Sequence, residues 1–435
     1  MIDDAEQLRR LAAAVPDEVR QVCQALVEAG FEAVTVGGAV RDALIGRPAG
    51  DWDVASSAHP DEVVALFRRT IPTGLQHGTV TVMVGKGDRR QGVEVTTYRG
   101  EGAYSDARRP DHVVFGVPLD EDLARRDLVV NAIAYDPIAG RIHDPFGGRA
   151  DLAARRLRAV GDPVARFTED GLRVMRAIRF AAVLEFALDD ATEAAIAVAL
   201  PSLRRVSQER VHDELVKLLA APRPSRGLPI ARSSGVLEAI LPEVAAAADD
   251  ARWARALAWI DAAPRGPACL AALLATAAAD AAATTPAGDA AAARLAEQVL
   301  RRLKFSNEDR ERVTRLVRIA HAPAAPAGWP APALRRLLGA IGRAAAADAA
   351  ALWAARPDGD AGAALAAAAR EVLDRGDALV TGELAIGGGD LMRELGLAPG
   401  REVGQLLAGL LDEVLDDPAV NTRDRLLDAA RRRRG

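Results

Sequence analysis

The sequence predicts an α+β protein, in which a head of strands and helices with a mixed sheet is followed by an all-helical remainder. Over roughly the first 150 residues, β-branched and alternating runs fall between amphipathic helical patterns. From Gly148 onward apolar residues recur at helical spacing, and alanine-rich runs dominate the second half. A chain of 435 residues is too long for one small core, so two to four domains or subdomains are expected.

The head contains two predicted helices of ordinary length. Apolar spacing predicts the first over residues 5–30, with Gly30 as its C-cap. The second opens at His59-Pro60 and runs to Arg69, because proline and acidic residues favour the first turn of a helix. The predicted strands alternate or are rich in β-branched residues, and they cover residues 33–36, 78–84 and 92–98.

A glycine turn between the first strand and a short helix is the strongest candidate for anion binding. Gly37 and Gly38 lack a Cβ, so their backbone N–H groups can approach a bulky anion closely. Arg41, one helical turn later, adds a fork of donors suited to phosphate oxygens. A Gly-Gly pair by itself most often marks only a turn, so this interpretation depends on its neighbours.

Carboxylates follow the turn. Asp51 and Asp53 are two residues apart, so on a strand they project from one face, where they repel each other unless a cation lies between them. Hard oxygen ligands suit Mg²⁺. Glu94 becomes a third acid if its strand neighbours that of Asp53. The alternative is that all three are ordinary solvent-facing residues.

Two further polar segments lie in the rest of the head. Residues 99–118 hold glycines, prolines and mixed charge, which predict a long loop, either a lid or a plain connector. Arg126, Asp127 and Asn131 then offer donors and acceptors for a ribose and its hydroxyls.

Arginines recur on the helix that follows the head. Thr168 is predicted as the N-cap of a helix that carries Arg173, Arg176 and Arg179 at every third position. Asp170 and Arg173 are either an ordinary surface ion pair or a rigid edge that matches the hydrogen-bonding edge of a base.

The composition excludes several classes. No apolar run reaches the roughly 18 residues that span a bilayer, so no membrane partner is expected. Cys23 and Cys269 are far apart and form neither a disulfide framework nor a zinc site, which fits a reducing cytoplasm. The net charge of −5 argues against indiscriminate nucleic-acid binding but not against a local basic patch. No obligate protein partner is indicated.

The motifs, taken together, resemble the class II tRNA nucleotidyltransferase/poly(A) polymerase family in its bacterial CCA-adding branch. In the first half the matches run in order as G-G-A-V-R-D with D-W-D, H-G-T-V-T-V-M-V, V-E-V-T-T-Y-R, D-L-A-R-R-D-L-V-V-N-A, E-D-G-L-R-V-M-R-A-I-R-F and S-Q-E-R-V-H-D-E-L. Further matches, D-L-M-R-E-L-G-L-A-P-G-R-E-V-G and V-L-D-D-P-A-V-N-T-R, lie near the C-terminus.

The resemblance implies a domain order and a reaction. It implies a nucleotidyltransferase head over residues 1–148, a helical neck with base recognition over 149–225, a body over 226–330 and a tRNA-binding tail over 331–435. The tRNA 3′-hydroxyl is then expected to attack the α-phosphate of CTP or ATP and release pyrophosphate, with Mg²⁺ as cofactor.

The resemblance also implies roles for single residues. Asp51 and Asp53 are expected to bind two Mg²⁺ ions with the help of Glu94. Asp170 and Arg173 are expected to read the incoming base in place of a nucleic-acid template, and Glu209 and Arg210 to support the neck. The remaining expected nucleotide contacts are Gly37, Gly38, Arg41, Arg126, Asp127, Asn131, Arg176 and Arg179.

Departures from the family pattern leave this chemistry intact. An Ala-Thr pair stands where some members carry the His-Asp of a phosphohydrolase, so the body is expected to lack that site. Gly171 and Leu128 stand where proline and phenylalanine are frequent, beside the contacting positions. The alternatives are a CC-only enzyme, disfavoured by the intact 99–118 loop, an A-only enzyme, a poly(A) polymerase, and, more remotely, a non-catalytic RNA-binding protein on this scaffold.

Overall fold

The computed structural model describes residues 3–74, 78–85, 90–101, 113–247, 249–278, 289–322 and 330–434. Within it the chain forms two compact units. One comprises Met1–Glu214 with Pro229–Ala239, and the other comprises Leu215–Leu228 with Ile240–Gly435. The boundaries predicted at residues 148, 225 and 330 remain predictions.

A seven-stranded mixed sheet is the centre of the first unit. The chain's strands are β1 Ala33–Val36, β2 Asp53–Ser56, β3 Thr70–Gly74, β4 Thr79–Val84, β5 Gln91–Thr97, β6 Arg99–Glu101, β7 Val113–Phe115, β8 Ala134–Asp136, β9 Arg141–His143, β10 Arg156–Leu157 and β11 Ala187–Leu188. The sheet order is β3-β4-β5-β2-β1-β8-β9, in which only the β2–β5 pair is parallel. This arrangement confirms the predicted mixed sheet.

Helices account for most of the rest. Up to residue 219 they are α1 Asp4–Ala14, α2 Asp17–Glu28, α3 Gly38–Leu44, α4 Pro60–Leu66, α5 Leu119–Ala124, α6 Gly148–Ala153, α7 Pro163–Glu169, α8 Leu172–Leu184, α9 Asp190–Val198, α10 Leu200–Leu203 and α11 Gln208–Leu219. Beyond it they are α12 Leu228–Ser233, α13 Val236–Ile240, α14 Pro242–Ala247, α15 Asp250–Ala262, α16 Pro267–Ala275, α17 Ala290–Arg302, α18 Asn307–Ile319, α19 Ala331–Ile341, α20 Arg343–Ala354, α21 Asp360–Asp374, α22 Gly388–Leu395, α23 Arg401–Asp416 and α24 Arg423–Arg434.

The α+β class is confirmed, with small corrections to individual elements. The single helix predicted over 5–30 is two helices, because Pro16 has no N–H to donate and begins a new helix instead. Gly30 does end α2, with φ +92° and an N–H that donates to the Val27 carbonyl. Beyond the head, β10 and β11 form a two-residue parallel pair, so the neck is not purely helical.

The segment predicted as a loop over residues 99–118 is ordered at both ends. β6 pairs with β7 in antiparallel register, with Arg99 opposite Phe115 and Glu101 opposite Val113. The central part, which includes Arg108-Arg109-Pro110, lies outside the described residues, so its role as a lid stays a prediction.

Two further expectations from composition concern the cysteines and membrane-spanning helices. Cys23 and Cys269 are both free and buried, as expected for small apolar residues. Across the described helices, no single one is long and apolar enough to cross a membrane, although α19 and α20, bent by 116°, pass the same test together by length and composition.

Candidate active site

The Gly37-Gly38 turn leads from β1 into α3, as predicted. Gly37 has φ +80°, a conformation that residues with a Cβ rarely adopt. A Cβ built on Gly37 would lie 3.1 Å from Nη1 of Arg126 and 3.9 Å from Oδ2 of Asp53. The turn, a guanidinium and a carboxylate therefore meet at the end of β1.

The carboxylates lie beside this turn on neighbouring strands. Asp53 is the first residue of β2 and stands opposite Val36 of β1. Asp51 precedes the strand. Asp51 and Asp53 are nevertheless both exposed while Trp52 between them is buried, so side chains alternate between the two faces as predicted. In the parallel register of β2 and β5, Val54 pairs with Val95. The residue before Val95 is the exposed Glu94, so the assumed adjacency of the two strands is confirmed.

Charge repulsion among these acids favours a bound cation. Partial desolvation raises the pKa of Asp53 above its ordinary value, and the negative charges of Glu94 and Asp51 raise it further against the opposing effect of Arg126. Carboxylate oxygens are the ligands that Mg²⁺ prefers, so this donor set fits the ion. As the described side chains stand, no three histidine, cysteine or carboxylate groups are gathered closely enough to hold a metal ion.

Arg126 points its guanidinium towards the turn. Its side chain is 19% exposed, and Nη2 lies 3.5 Å from the Asp122 carboxylate. Its buried Nε has no hydrogen-bond partner among the described residues. Desolvation lowers the pKa of Arg126, against the effect of Asp122. Because burial disfavours the charged form of Arg126, an anion bound at the turn beside its Nη1 would stabilise this arginine.

Arg41 lies beneath the turn rather than on its surface. It is buried, and its Nε and Nη2 each donate to the Asp42 carboxylate at 2.9 Å. Its Nη1 donates to Oδ1 of Asn131 at 2.6 Å. Its predicted contact with a triphosphate is therefore untested, whereas its contact with Asn131 is a feature that the sequence did not reveal.

Asp127 and Asn131 lie in the same buried network. Oδ1 of Asp127 accepts from the Leu128 N–H at 2.8 Å and from the Asn131 amide at 3.0 Å. Oδ2 accepts from Nε of Arg176 at 2.7 Å and forms an ion pair with Nη2 of the same residue, also at 2.7 Å. Burial raises the pKa of Asp127, but Arg176 and the hydrogen bonds outweigh it and hold that pKa well below the ordinary range. The network runs from Arg41 on α3 to Arg176 on α8.

The segment from Glu169 to Arg173 differs from the prediction. α7 ends at Glu169 and α8 begins at Leu172, so Thr168 is not an N-cap, and Asp170 and Arg173 do not share a helix. Asp170 accepts from Arg210 at 3.2 and 2.7 Å. Arg173 donates to Glu169 at 2.7 Å. Glu169 and the contact of Arg210 with Asp170 were both missed by sequence reasoning.

The arginines of α8 surround one aromatic ring. Arg179 donates to Glu214 at 2.6 Å, and its guanidinium carbon lies 4.1 Å from the centroid of Phe180. The corresponding carbons of Arg41 and Arg176 lie 5.0 and 5.6 Å from the same centroid. These distances fit cation–π contacts, so Phe180 helps to hold three predicted nucleotide-binding residues in place.

Sequence profiles match three parts of the chain. The Poly A polymerase head domain matches residues 33–158, a "Probable RNA and SrmB-binding site of polymerase A" matches 185–248, and tRNA nucleotidyltransferase domain 2 matches 290–430. The chain is 48% identical to the CCA-adding enzyme of Geobacillus stearothermophilus over 242 residues, which is 56% of this chain and 58% of that enzyme. It is 47% identical to that of Levilactobacillus brevis over 217 residues, 49% of this chain and 53% of that enzyme. These alignments thus span little more than half of the curated relatives.

Solved structures match over nearly the whole chain. The structure of the Bacillus stearothermophilus CCA-adding enzyme in complex with CTP is 31% identical with a TM-score of 0.76, and the match covers 96% of this chain and 97% of that one. The Thermotoga maritima CCA-adding enzyme complexed with tRNA shares the fold at 18% identity, with a TM-score of 0.65 and 98% of both chains covered. The chain therefore belongs to the tRNA nucleotidyltransferase/poly(A) polymerase family.

Proposed function

We propose that this protein is a CCA tRNA nucleotidyltransferase, which adds C, C and A to the 3′ end of tRNA from CTP and ATP. The observation that carries the proposal is that Gly37, Arg126 and Asp53 meet at the end of β1. The strand of Asp53 also neighbours the strand of Glu94. A phosphate cradle next to several carboxylates is what phosphoryl and nucleotidyl transfer require.

The chemistry is an in-line displacement at the α-phosphorus. The tRNA 3′-oxygen forms a bond to the α-phosphorus as the bond to the bridging oxygen breaks, the hydroxyl proton is lost, and pyrophosphate leaves. Asp51 and Asp53 would hold two Mg²⁺ ions with the help of Glu94. When bound, Mg²⁺ offsets the charge on the phosphates and favours deprotonation of the attacking hydroxyl.

The protein's own residues bind and orient the nucleotide. Backbone N–H groups of Gly37 and Gly38 and the guanidinium of Arg126 approach the phosphates. Arg41 positions Asn131 and Asp127 through the buried network, and this group supports the ribose side of the site. Asp170 and Arg173 read the base, with Arg176 and Arg179 on the same helix as Arg173.

The partner of the protein is tRNA, and the reaction takes place in the cytoplasm. The helical residues beyond the neck bind the tRNA, with the tail over 331–435 as the predicted contact. Two buried, free cysteines fit a reducing cytoplasm.

The test is incorporation on three tRNA transcripts that end at the discriminator base, after C and after CC. CTP and ATP are supplied singly and together, and the products are sequenced. Addition of CCA followed by a stop is expected. A stop after CC, addition of A only to the CC-ended transcript, or a long A tail would each identify one of the alternative enzymes. No product from the folded protein with Mg²⁺ present would favour a non-catalytic RNA-binding role.

A further inference from the structure

The guanidinium of Arg210, which lies on a separate helix, binds the carboxylate of Asp170. Arg210, on α11, donates from Nη1 to Oδ1 at 3.2 Å and from Nη2 to Oδ2 at 2.7 Å. The side chain of Arg210 is 28% exposed and that of Asp170 is 16% exposed, so the pair is partly shielded from water. Such a two-point contact fixes both the position and the rotation of a carboxylate, which a lysine at the same place cannot do.

The backbone around Asp170 is fixed as well. Oδ1 also accepts from the N–H of Leu172, the first residue of α8, at 3.0 Å. A Cβ on Gly171 would lie only 2.3–2.4 Å from backbone atoms of Ser202 and Leu203, so the chain packs tightly against α10 at this point. Asp170 therefore has a fixed backbone, and Arg210 fixes the orientation of its carboxylate together with the Leu172 N–H.

Arg173 is held in a comparable way by a different residue. Its Nη1 donates to Oε2 of Glu169 at 2.7 Å and to the Arg166 carbonyl at 3.2 Å, and its Nη2 donates to the Arg125 carbonyl at 3.1 Å. Each member of the predicted base-reading pair thus has its own support, and the support of Asp170 comes from α11.

The orientation of Asp170 matters for base choice because it is the acceptor of the pair. Cytosine and adenine each present an exocyclic amino donor beside a ring-nitrogen acceptor, whereas uracil and guanine present a carbonyl beside a ring N–H. An ionised carboxylate can only accept, and an arginine can only donate. Because Oδ1 already accepts from two donors and Oδ2 from one, Oδ2 keeps capacity for an amino group.

We propose that Arg210 is a positioning residue for nucleotide selection, which keeps the Asp170 carboxylate turned as an acceptor for the amino groups of CTP and ATP. The inference rests on the proposed function. The competing explanation is that Arg210 only joins α11 to the segment between α7 and α8. A purely structural contact would lower activity equally for all four nucleotides, whereas a positioning contact changes the ratio between them.

The test compares Arg210→Ala and Arg210→Lys with Asp213→Ala, which removes an exposed charge on the same helix. Single-nucleotide kcat/KM is measured for CTP, ATP, UTP and GTP, together with tRNA affinity and the melting temperature. In Arg210→Ala we expect preference for CTP over UTP to fall about tenfold or more, because the lost contact is a charge-assisted pair. The preference in Arg210→Lys should lie between those of Arg210→Ala and the wild type, and Asp213→Ala should match the wild type.

Equal losses for all four nucleotides, in Arg210→Ala or Arg210→Lys, would overturn the proposal. If Arg210→Ala fails to fold, the Arg210→Lys result alone decides, since lysine keeps the charge but not the two-point contact. A wild-type protein that incorporates no nucleotide would instead overturn the proposed function, so the two failures are distinguishable.

Discussion

Arg176 donates a hydrogen bond from Nε to one carboxylate oxygen of Asp127, 49 residues away in the sequence, and forms an ion pair with the same oxygen through Nη2. This contact joins α8 to the segment that follows α5. Asp127 is only 7% exposed, and its other oxygen accepts from Leu128 and Asn131. A buried carboxylate with all its donors in place is stable, but it becomes costly when one donor is removed.

Arg176→Ala should therefore destabilise the protein by about 2 kcal/mol, the effect of removing a hydrogen bond to a charged group. Arg9→Ala is the matched control, because Arg9 pairs with Glu6 at the surface and should cost under about 0.5 kcal/mol. Denaturant unfolding at neutral pH measures both. Equal effects from the two variants would show that the buried network contributes no more than a surface pair.

The same pair predicts a pH dependence. The folded pKa of Asp127 lies below its unfolded value, so the pair stabilises the fold above the unfolded pKa, and this contribution is lost as the pH falls through the folded pKa. The stability gap between wild type and Arg176→Ala should thus narrow as the pH is lowered from about 5 towards about 2. A gap that stays constant over this range would indicate that the effect of the variant is packing rather than charge.

Gly37→Ala should lower stability and activity by two separate effects. The positive φ costs about 1–3 kcal/mol for a residue with a Cβ, and the new methyl group crowds Arg126 at 3.1 Å. Gly30→Ala is the control, since Gly30 has φ +92° but no atom within 4 Å of its built Cβ. Similar losses of stability are expected from both, with about a hundredfold loss of incorporation only in Gly37→Ala. Comparable activity in the two variants would argue that the turn is not part of the nucleotide site.

Local sequence signals explain which elements were predicted well. The Gly37-Gly38 turn and the strand Ala33–Val36 follow from glycine and β-branched residues at adjacent positions. The start of α7 carried a readable signal too, because Asp162 precedes Pro163 and caps the helix by accepting from the Ala165 N–H at 2.7 Å. This signal indicates a helix that begins at Pro163, so that Thr168 lies inside the helix and not at its N-cap.

Contacts between distant residues could not be predicted from these patterns. Glu94 lies beside Asp53 because β2 and β5 are parallel neighbours, and strand order is a property of the whole sheet. The pairing of Asp170 with Arg210 spans 40 residues and depends on how α11 packs. The spacing of Asp170 and Arg173 could equally describe two residues on one helix, which is why the joint between α7 and α8 was missed.

Arg173→Ala should reduce the selectivity between CTP and ATP more than it weakens tRNA binding, because it removes the donor of the base-reading pair. Arg204→Ala, which removes an exposed arginine at the end of α10, is the control for loss of charge alone. Competition between the two nucleotides on a CC-ended transcript gives the selectivity, and a filter-binding assay gives the tRNA affinity. Unchanged selectivity in Arg173→Ala would count against its role in reading the base.

Mg²⁺ should stabilise the wild-type protein through the carboxylates beside the glycine turn. In the absence of the ion Asp51, Asp53 and Glu94 repel one another, so millimolar Mg²⁺ is expected to raise the melting temperature by relieving that repulsion. Asp53→Ala should remove both this shift and all incorporation while the protein stays folded, because its metal site loses a ligand. Asp61→Ala, which removes an exposed acid in the first turn of α4, should keep both. A Mg²⁺-dependent shift of equal size in Asp53→Ala would place the ion elsewhere, and retained incorporation would contradict the two-metal assignment.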